Sequence, residues 1–218
     1  MIWGRTTTED APGRHLEVEV TFDVDPSTPR PVWAEVGLSA SAAEVRELDA
    51  RYLDTADLSL ARAGYALRRR TGGADQGWHL KGPRTGNARL ELSWPLGDLT
   101  NDPDSVPDAI VRELTAVLAV PCRADMLRTL ARIRNHRTAF NLTDTSGVVV
   151  AEFVDDQVNA HDERTGNTRS WREWEVELPP GIPETDGADI LARATEAAIR
   201  VGARNAASTS KLARALGR

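Results

Sequence analysis

"HLEVEVTFDV", residues 15 to 24, alternates strictly between apolar and polar side chains. Leu16, Val18, Val20 and Phe22 fall on one side of an extended chain, and His15, Glu17, Glu19 and Thr21 on the other. Successive side chains of a strand point to opposite faces, so the segment reads as a strand with one apolar face. An amphipathic sheet edge, wet on the polar side, has this pattern. A closed barrel with the glutamates turned inward has it too. What the other strands carry on their polar faces bears on the choice.

Further strands are read in the stretch 49–73, which holds a strand, a turn at Asp54 and Thr55, a short helix, and Gly64 leading into a second strand. "GWHLKGP" (77–83) and "RLELSWPL" (89–96) are two more, separated by a turn-rich "PRTGNA". "IRNHRTAFNL" (133–142), "VVVAEFVDDQV" (148–158) and "SWREWEVEL" (170–178) complete the set. "SASAAEVREL" (39–48) opens on a serine cap and reads as a helix. Residues 101–131 hold the longest helical stretches, broken at Pro121, and the tail 188–217 reads as helical, tethered by "PPGIPETDG" (179–187). Seven or eight strands with helices between and outside them predict an α+β fold whose antiparallel sheet closes into a barrel. No interdomain linker interrupts the chain, so residues 1–218 read as a single domain.

With 218 residues and 40% hydrophobic content the chain can bury a proper core. Its formal net charge of −6 argues against a general nucleic-acid binder. A single cysteine, Cys122, excludes a disulfide framework and a thiolate zinc site. No apolar run approaches the ~20 residues of a membrane helix. "MIWGRTTTED" lacks a signal-peptide core. A cytoplasmic protein with no membrane partner is the expectation.

Each strand has a charged face. Arg68 and Arg70 share one, His79 and Lys81 another, Arg89, Glu91 and Ser93 a third. Phase relative to Phe140 puts Asn135 and Arg137 on the polar side. Phase relative to Phe153 does the same for Glu152 and Asp156, and Trp174 and Val176 leave Glu173, Glu175 and Glu177 polar-facing. If these faces are exterior, they make a well-salted surface. If they point into a barrel, the lumen holds opposed acids and bases, and unpaired buried charge is costly. Clustered carboxylates then suit a hard cation such as Mg2+ or Mn2+. Clustered Arg and Lys suit phosphate oxygens. Together they point to a metal-bound polyphosphate and to phosphoryl transfer.

The ordered set of motifs resembles the CYTH family, also called triphosphate tunnel metalloenzymes. "EVEVT" (17–21) is similar to its E-x-E-x-K opening, and "YLDTADLSLARAGYALRRR" (52–70) to its Y-x-D-T-x-D-x-x-L-x-x-x-G-x-x-L-R-x-R stretch. "WHLKGP", "RLELSWPL", "AEFVDD", "WEVEL" and "TSKLARAL" follow in the family's order, so the resemblance runs from about Leu16 to Leu216. It implies a closed eight-stranded antiparallel barrel, a tunnel open at both ends, with helices packed outside. By the same resemblance Glu17, Glu19, Glu175 and Glu177 are metal ligands, with Glu91, Glu152 or Asp156 assisting and Asp155 as the register alternative. Arg68, Arg70, Lys81, Arg137 and Lys211 bind phosphates, with Arg134 as the alternative to Arg137. Glu175 or Glu177 positions the attacking water, and Lys211 joins them in the catalytic set.

The implied activity is divalent-metal-dependent hydrolysis of a triphosphate, with inorganic tripolyphosphate ahead of thiamine triphosphate or a nucleotide. An adenylate cyclase and a non-catalytic polyphosphate-binding module are the alternatives, as monomer or homodimer. Two departures bear on this. Thr21 stands where the family carries a lysine, and Asn135 where many members place a second cation. A slower enzyme, a different substrate or a binding module without turnover would each fit them. The family's frequent companion, a histidine-rich helical CHAD domain, is not read in this sequence. "STSK" (208–211) fits the S-x-x-K of serine hydrolases, but the companion S-D-N and K-T-G elements are missing. The six tryptophans read as core or barrel wall, with Trp78 and Trp94 able to stack on a base at the tunnel mouth.

Overall fold

The structure, a computed structural model, describes residues 11–97, 105–208 and 210–217. The opening ten residues read above for a leader lie outside the described residues, as does the start of the 101–131 segment up to residue 104. Among the described residues, ten strands form one sheet. Eight of them are long enough to build a wall: β1 (Gly13–Val24), β3 (Glu44–Thr55), β4 (Ala66–Thr71), β5 (Gly77–Thr85), β6 (Ala88–Trp94), β7 (Leu127–Thr143), β8 (Val149–Asp162) and β9 (Thr168–Glu177). Two-residue β2 (Ser39–Ala40) and β10 (Arg204–Asn205) pair onto β7 and β1.

The order is β1-β6-β5-β4-β3-β7-β8-β9, every pairing is antiparallel, and β9 returns to β1. β1 closes the ring by dividing its length: Gly13–Val18 pairs with β6 and Glu19–Val24 with β9. Closure removes the free edges that would otherwise expose unpaired backbone groups. The expected eight-stranded antiparallel barrel is therefore the observed architecture.

The apolar faces of the strands point outward and are covered by helices. α3 (Glu184–Arg200) lays Ile190, Leu191, Ala194 and Ala198 over Phe22, Phe153, Trp174 and Val176. α2 (Asp108–Leu118) packs Ile110 and Leu114 against Leu67, Trp78, Leu80, Leu92 and Trp94. Fully burying one such aromatic or branched side chain stabilises by roughly 1.5–3 kcal/mol. These two outer cores carry the fold and leave the inner face of the barrel free for polar groups. Trp78 and Trp94 belong to the outer core under α2, with Trp94 also bordering the lumen.

The D-T turn is structural. The Asp54 carboxylate accepts hydrogen bonds from the backbone N–H groups of Thr55 (2.7 Å), Leu60 (2.9 Å) and Ala61 (2.9 Å). It thereby satisfies the otherwise orphaned first donors of the single-turn α1 (Ser59–Arg62).

Four expectations are corrected. Residues 39–48 are not a helix: "EVREL" enters β3, where its backbone is used by the ladder with β7 from Glu44↔Ala139 onward, and pairing overrides the helical propensity of the alanines. The 101–131 helix is shorter than read, because β7 begins at Leu127 and only a 3-10 turn, Ala124–Met126, precedes it. The helical tail breaks at Gly202 (φ +98), passes through β10 and resumes as α4 (Lys211–Ala215). Finally, the tunnel is not open at both ends. Leu212 and Ala215 of α4 pack with Ala50, Tyr52, Ile133 and Val158 on the inner face of the barrel, so α4 occupies one mouth. Among the described residues no helix is long and apolar enough to cross a membrane.

Candidate active site

The inward side chains enclose a cavity of about 700 Å3. Glu17, Arg68, Arg70, Lys81, Arg89, Glu91, Arg137, Glu175, Glu177 and Lys211 all line it. Strand alternation brings them together: β1 and β9 supply acids, β4 and β5 supply bases, and β6 supplies one of each. α4 adds Lys211 from the plugged end, where Ser210 Oγ accepts the Ala213 N–H (3.2 Å) as a cap. That capping bond is the structural use of the serine in the S-x-x-K pattern.

Two acidic groups differ in how their charge is met. In the first, Glu17, Glu19 and Glu177 bring one carboxylate oxygen each to within 4.8 Å of one another. Glu17 pairs with Lys81 (2.6 Å) and Arg89 (2.7 Å), and Glu19 with Arg89 (2.8 Å) and Arg84. Burial alone would raise Glu17, but Lys81 and Arg89 outweigh it and hold the carboxyl at about 2. Glu19 is raised by burial and by Glu175 and Glu17 beside it. Glu177 has no ion-pair or hydrogen-bond partner among the described residues, and burial together with Glu17 pushes it up to about 7. Glu152 stands directly opposite Glu177 on β8 and pairs with Arg46 at 3.0 Å.

The second group, Asp156, Glu173 and Glu175, is equally close but already saturated with cations. Arg137 donates two bonds to Asp156 (2.8 and 2.7 Å) and one to Glu175 (2.8 Å). Lys211 reaches Glu175 (2.6 Å), Asp156 (3.1 Å) and Glu173. Despite burial, Lys211 and Arg137 hold Glu175 far below the usual carboxylate range, and the three acids raise Lys211 well above an ordinary lysine.

These contrasts test the fit of a divalent ion. Two buried carboxylates and the half-buried Glu177 converge at the first group, and Glu177 has no ion-pair partner among the described residues. All the donors are oxygen, as a hard divalent cation requires. The first group fits such an ion, whereas Arg137 and Lys211 fill the second.

Two cations mirror this on the opposite side. Arg68 and Arg70 are buried, and the Nε of each has no hydrogen-bond partner. Arg68 is hydrogen-bonded to Tyr52, and among the described residues it has no carboxylate within ion-pair distance. Burial, with Arg68 and Arg137 close by, pulls Arg70 down to about 9. Glu91 is bound by Lys81 (3.1 Å) and by His79 Nδ1 (2.5 Å).

The register alternatives lie elsewhere. Arg134 is on the outer wall, 3.5 Å from Asp49, because Arg137 and not Arg134 shares the inward phase with Asp156. Asp155 is also outside, paired with Arg172 (2.8 Å) and Arg30 (2.7 Å). Four inward residues were given no role from sequence: Arg84, Arg89, Glu173 and Tyr52. Arg89 and Glu173 carry the right phase beside Glu91 and Glu175. Arg84 does not, because a bulge after Lys81 sets two residues of β5, Gly82 and Pro83, against one of β6, Leu90. The Gly82–Pro83 pair inside a strand is the signal for that bulge. Tyr52 gives no charge signal.

A sequence profile of the CYTH domain matches residues 15–198. The chain is 38% identical over 221 aligned positions to the uncharacterized protein Rv2226 of Mycobacterium tuberculosis (strain ATCC 25618 / H37Rv). The alignment covers 94% of this chain and 41% of the relative, so the chain spans less than half the length of that protein. Among solved structures, a candidate adenylate cyclase from Bacillus halodurans superposes with a TM-score of 0.58 at 16% identity, covering 93% of this chain and 98% of that one. A candidate adenylyl cyclase from Hippeastrum, described as having a dominant triphosphatase activity, gives 0.57 at 16% identity over 94% and 96% of the two chains. At that identity the structures speak for the fold alone.

Proposed function

This chain belongs to the CYTH family, and on that footing we propose that it hydrolyses a triphosphate, inorganic tripolyphosphate first, with a divalent metal ion. One observation carries the reading. Buried arginines with unpartnered Nε atoms face a buried carboxylate group with an unpartnered Glu177 across one cavity. Arg68 on one side and Glu177 on the other have no ion-pair partner among the described residues, and a metal-bound polyphosphate brings the charge that each lacks. The Hippeastrum neighbour's triphosphatase activity supports the same choice over a cyclase.

Glu17, Glu19 and Glu177 would hold Mg2+ or Mn2+, with Glu152 next to them. When bound, the ion supplies Lewis-acid charge to phosphate oxygens. Arg68, Arg70, Lys81 and Arg137 orient the phosphate chain by charge-assisted hydrogen bonds, which are strongest where water is excluded. Glu177, which no side-chain cation pairs among the described residues, would orient the attacking water beside the ion. Glu175 is too firmly held by Lys211 and Arg137 for that task and instead fixes those two cations. Lys211 closes the site from the α4 side.

The test is release of inorganic phosphate from tripolyphosphate with Mg2+ or Mn2+, beside ATP and thiamine triphosphate. Faster turnover of ATP with pyrophosphate release would favour a cyclase. Tight binding without turnover would favour the binding module that Thr21 at the lysine position also fits.

A further inference from the structure

Arg70 reaches into the cavity with its side chain only 5% exposed, yet its carboxylate partner is not a lumen glutamate. It is Asp75, whose own side chain is 63% exposed. The lumen carboxylates are engaged by Lys81, Arg84, Arg89, Arg137 and Lys211, or lie near the other acids.

Asp75 sits on the turn between β4 and β5. Ala66, the first residue of β4, packs against the α4 cluster, and Thr71, the last, leads into the turn. The turn therefore stands at the end of β4 away from α4. With one mouth taken by α4, a ligand enters past Asp75.

The backbone of this turn is fixed. Gly72 has φ +83 and lies so close to β3 that a Cβ would come within 2.0 Å of the Glu47 carbonyl oxygen. His79 Nε2 donates to the Asp75 carbonyl at 2.9 Å. The Asp75 carboxylate, by contrast, has Arg70 as its one partner among the described residues. A rotation about the Asp75 side chain withdraws the carboxylate from Arg70 without disturbing the turn, and leaves the guanidinium only a 3.4 Å hydrogen bond to the Asp75 carbonyl oxygen.

Resting on the triphosphate reading above, we propose that Asp75 determines specificity at the entrance. It holds Arg70 in the free protein and yields it only to a terminal phosphate carrying enough charge to displace a carboxylate. Internal phosphates, with one charge each, compete less well.

The probes are tripolyphosphate, which has two terminal phosphates, and cyclic trimetaphosphate, which has none. Both are titrated calorimetrically into wild type and Asp75→Asn with Ca2+ present. Removing an exposed competing carboxylate should tighten tripolyphosphate by about two- to tenfold. Trimetaphosphate should gain more, so the preference between them narrows. Asp75→Ala should behave like Asp75→Asn, because the turn is held through its backbone, and either variant suffices for the test. Unchanged or weaker tripolyphosphate binding, or a smaller gain for trimetaphosphate than for tripolyphosphate, overturns the role of Asp75. A wild type that binds no tripolyphosphate overturns the reading of the whole site.

Discussion

Glu19 on β1 and Glu177 on β9 are direct cross-strand partners facing the same lumen, with Glu17 two residues away. Like charges directly opposite one another destabilise a sheet, and here burial removes the water that would screen them. Arg89 and Arg84 pair with Glu19, whereas Glu177 has no ion-pair partner among the described residues and only Lys81, beyond ion-pair distance, offsets its charge.

Stability without metal should therefore depend on pH. Glu177 titrates at about 7 in the folded chain, against an ordinary 4.5. Between those values the folded state holds a proton that the unfolded state has released. The metal-free protein therefore loses stability as pH rises from 4.5 through 7, by up to about 3 kcal/mol from this group. Glu177→Gln should abolish that part of the slope and melt higher than wild type at about pH 8 in the presence of a chelator. Mg2+ or Mn2+ should raise the melting temperature of wild type far more than that of the variant. Parallel melting curves across roughly pH 5–8 for both proteins would dismiss the assignment.

Arg68 and Arg70 lie side by side in the ligand-free lumen, and Arg68, unlike Arg70 with its Asp75 partner, has no carboxylate within ion-pair distance among the described residues. Arg68→Gln should lower the metal-free melting temperature slightly, because, against the cost of burial, Tyr52, Glu91 and Glu17 favour the guanidinium charge in the folded chain. It should weaken tripolyphosphate binding roughly ten- to a hundredfold, since charge-assisted bonds contribute roughly 1.5–3 kcal/mol. Calorimetric titration with Ca2+ reads the affinity, and undiminished binding would remove Arg68 from the phosphate grip.

Asp54 has a different task, although it belongs to the same sequence motif. Its carboxylate is buried and serves three backbone N–H groups of the α1 turn. Asp54→Ala leaves those donors unmet and should destabilise by about 1–3 kcal/mol, with tripolyphosphate affinity of the folded fraction unchanged. Denaturant titration gives the first quantity. A loss of affinity without loss of stability would reassign Asp54 to the site.

What the sequence made legible follows from one regularity, the period of two along a strand. It placed Glu17 with Glu19, Arg68 with Arg70, and Glu175 with Glu177 on one face each. The family resemblance turned that face inward. The same regularity fails at Gly82–Pro83, where a bulge returns Arg84 to the lumen. It is silent where pairing overrides local preference, as at residues 44–48. It also cannot see contacts between distant segments, such as α4 entering the barrel or Asp75 folding back on Arg70. The phase set by Phe140 and Phe153 favoured Arg137 and Asp156, and the β7–β8 register, Arg137↔Asp156, removes Arg134 and Asp155 as their alternatives.

Thr21 poses the last question, because the family carries a lysine there. Thr21 is 4% exposed and its Oγ1 has no hydrogen-bond partner, so the hydroxyl is an imperfect occupant. Its cross-strand neighbour is Glu175, and the Lys211 amine already lies 2.6 Å from the Glu175 carboxylate. A lysine at position 21 would thus approach an ammonium already bound by three acids. Thr21→Lys alone should change tripolyphosphate affinity by less than about threefold, the new attraction to phosphate being offset by repulsion from Lys211. Lys211→Ala alone should weaken binding by about tenfold or more. In the double variant, the introduced lysine takes the vacated place against Glu175 and should recover most of that loss. Calorimetric titration of the four proteins with Ca2+ closes the cycle, and the interaction energy between the two positions is read directly. Strict additivity of the two single effects would mean that Lys211 and a lysine at position 21 serve different parts of the tunnel.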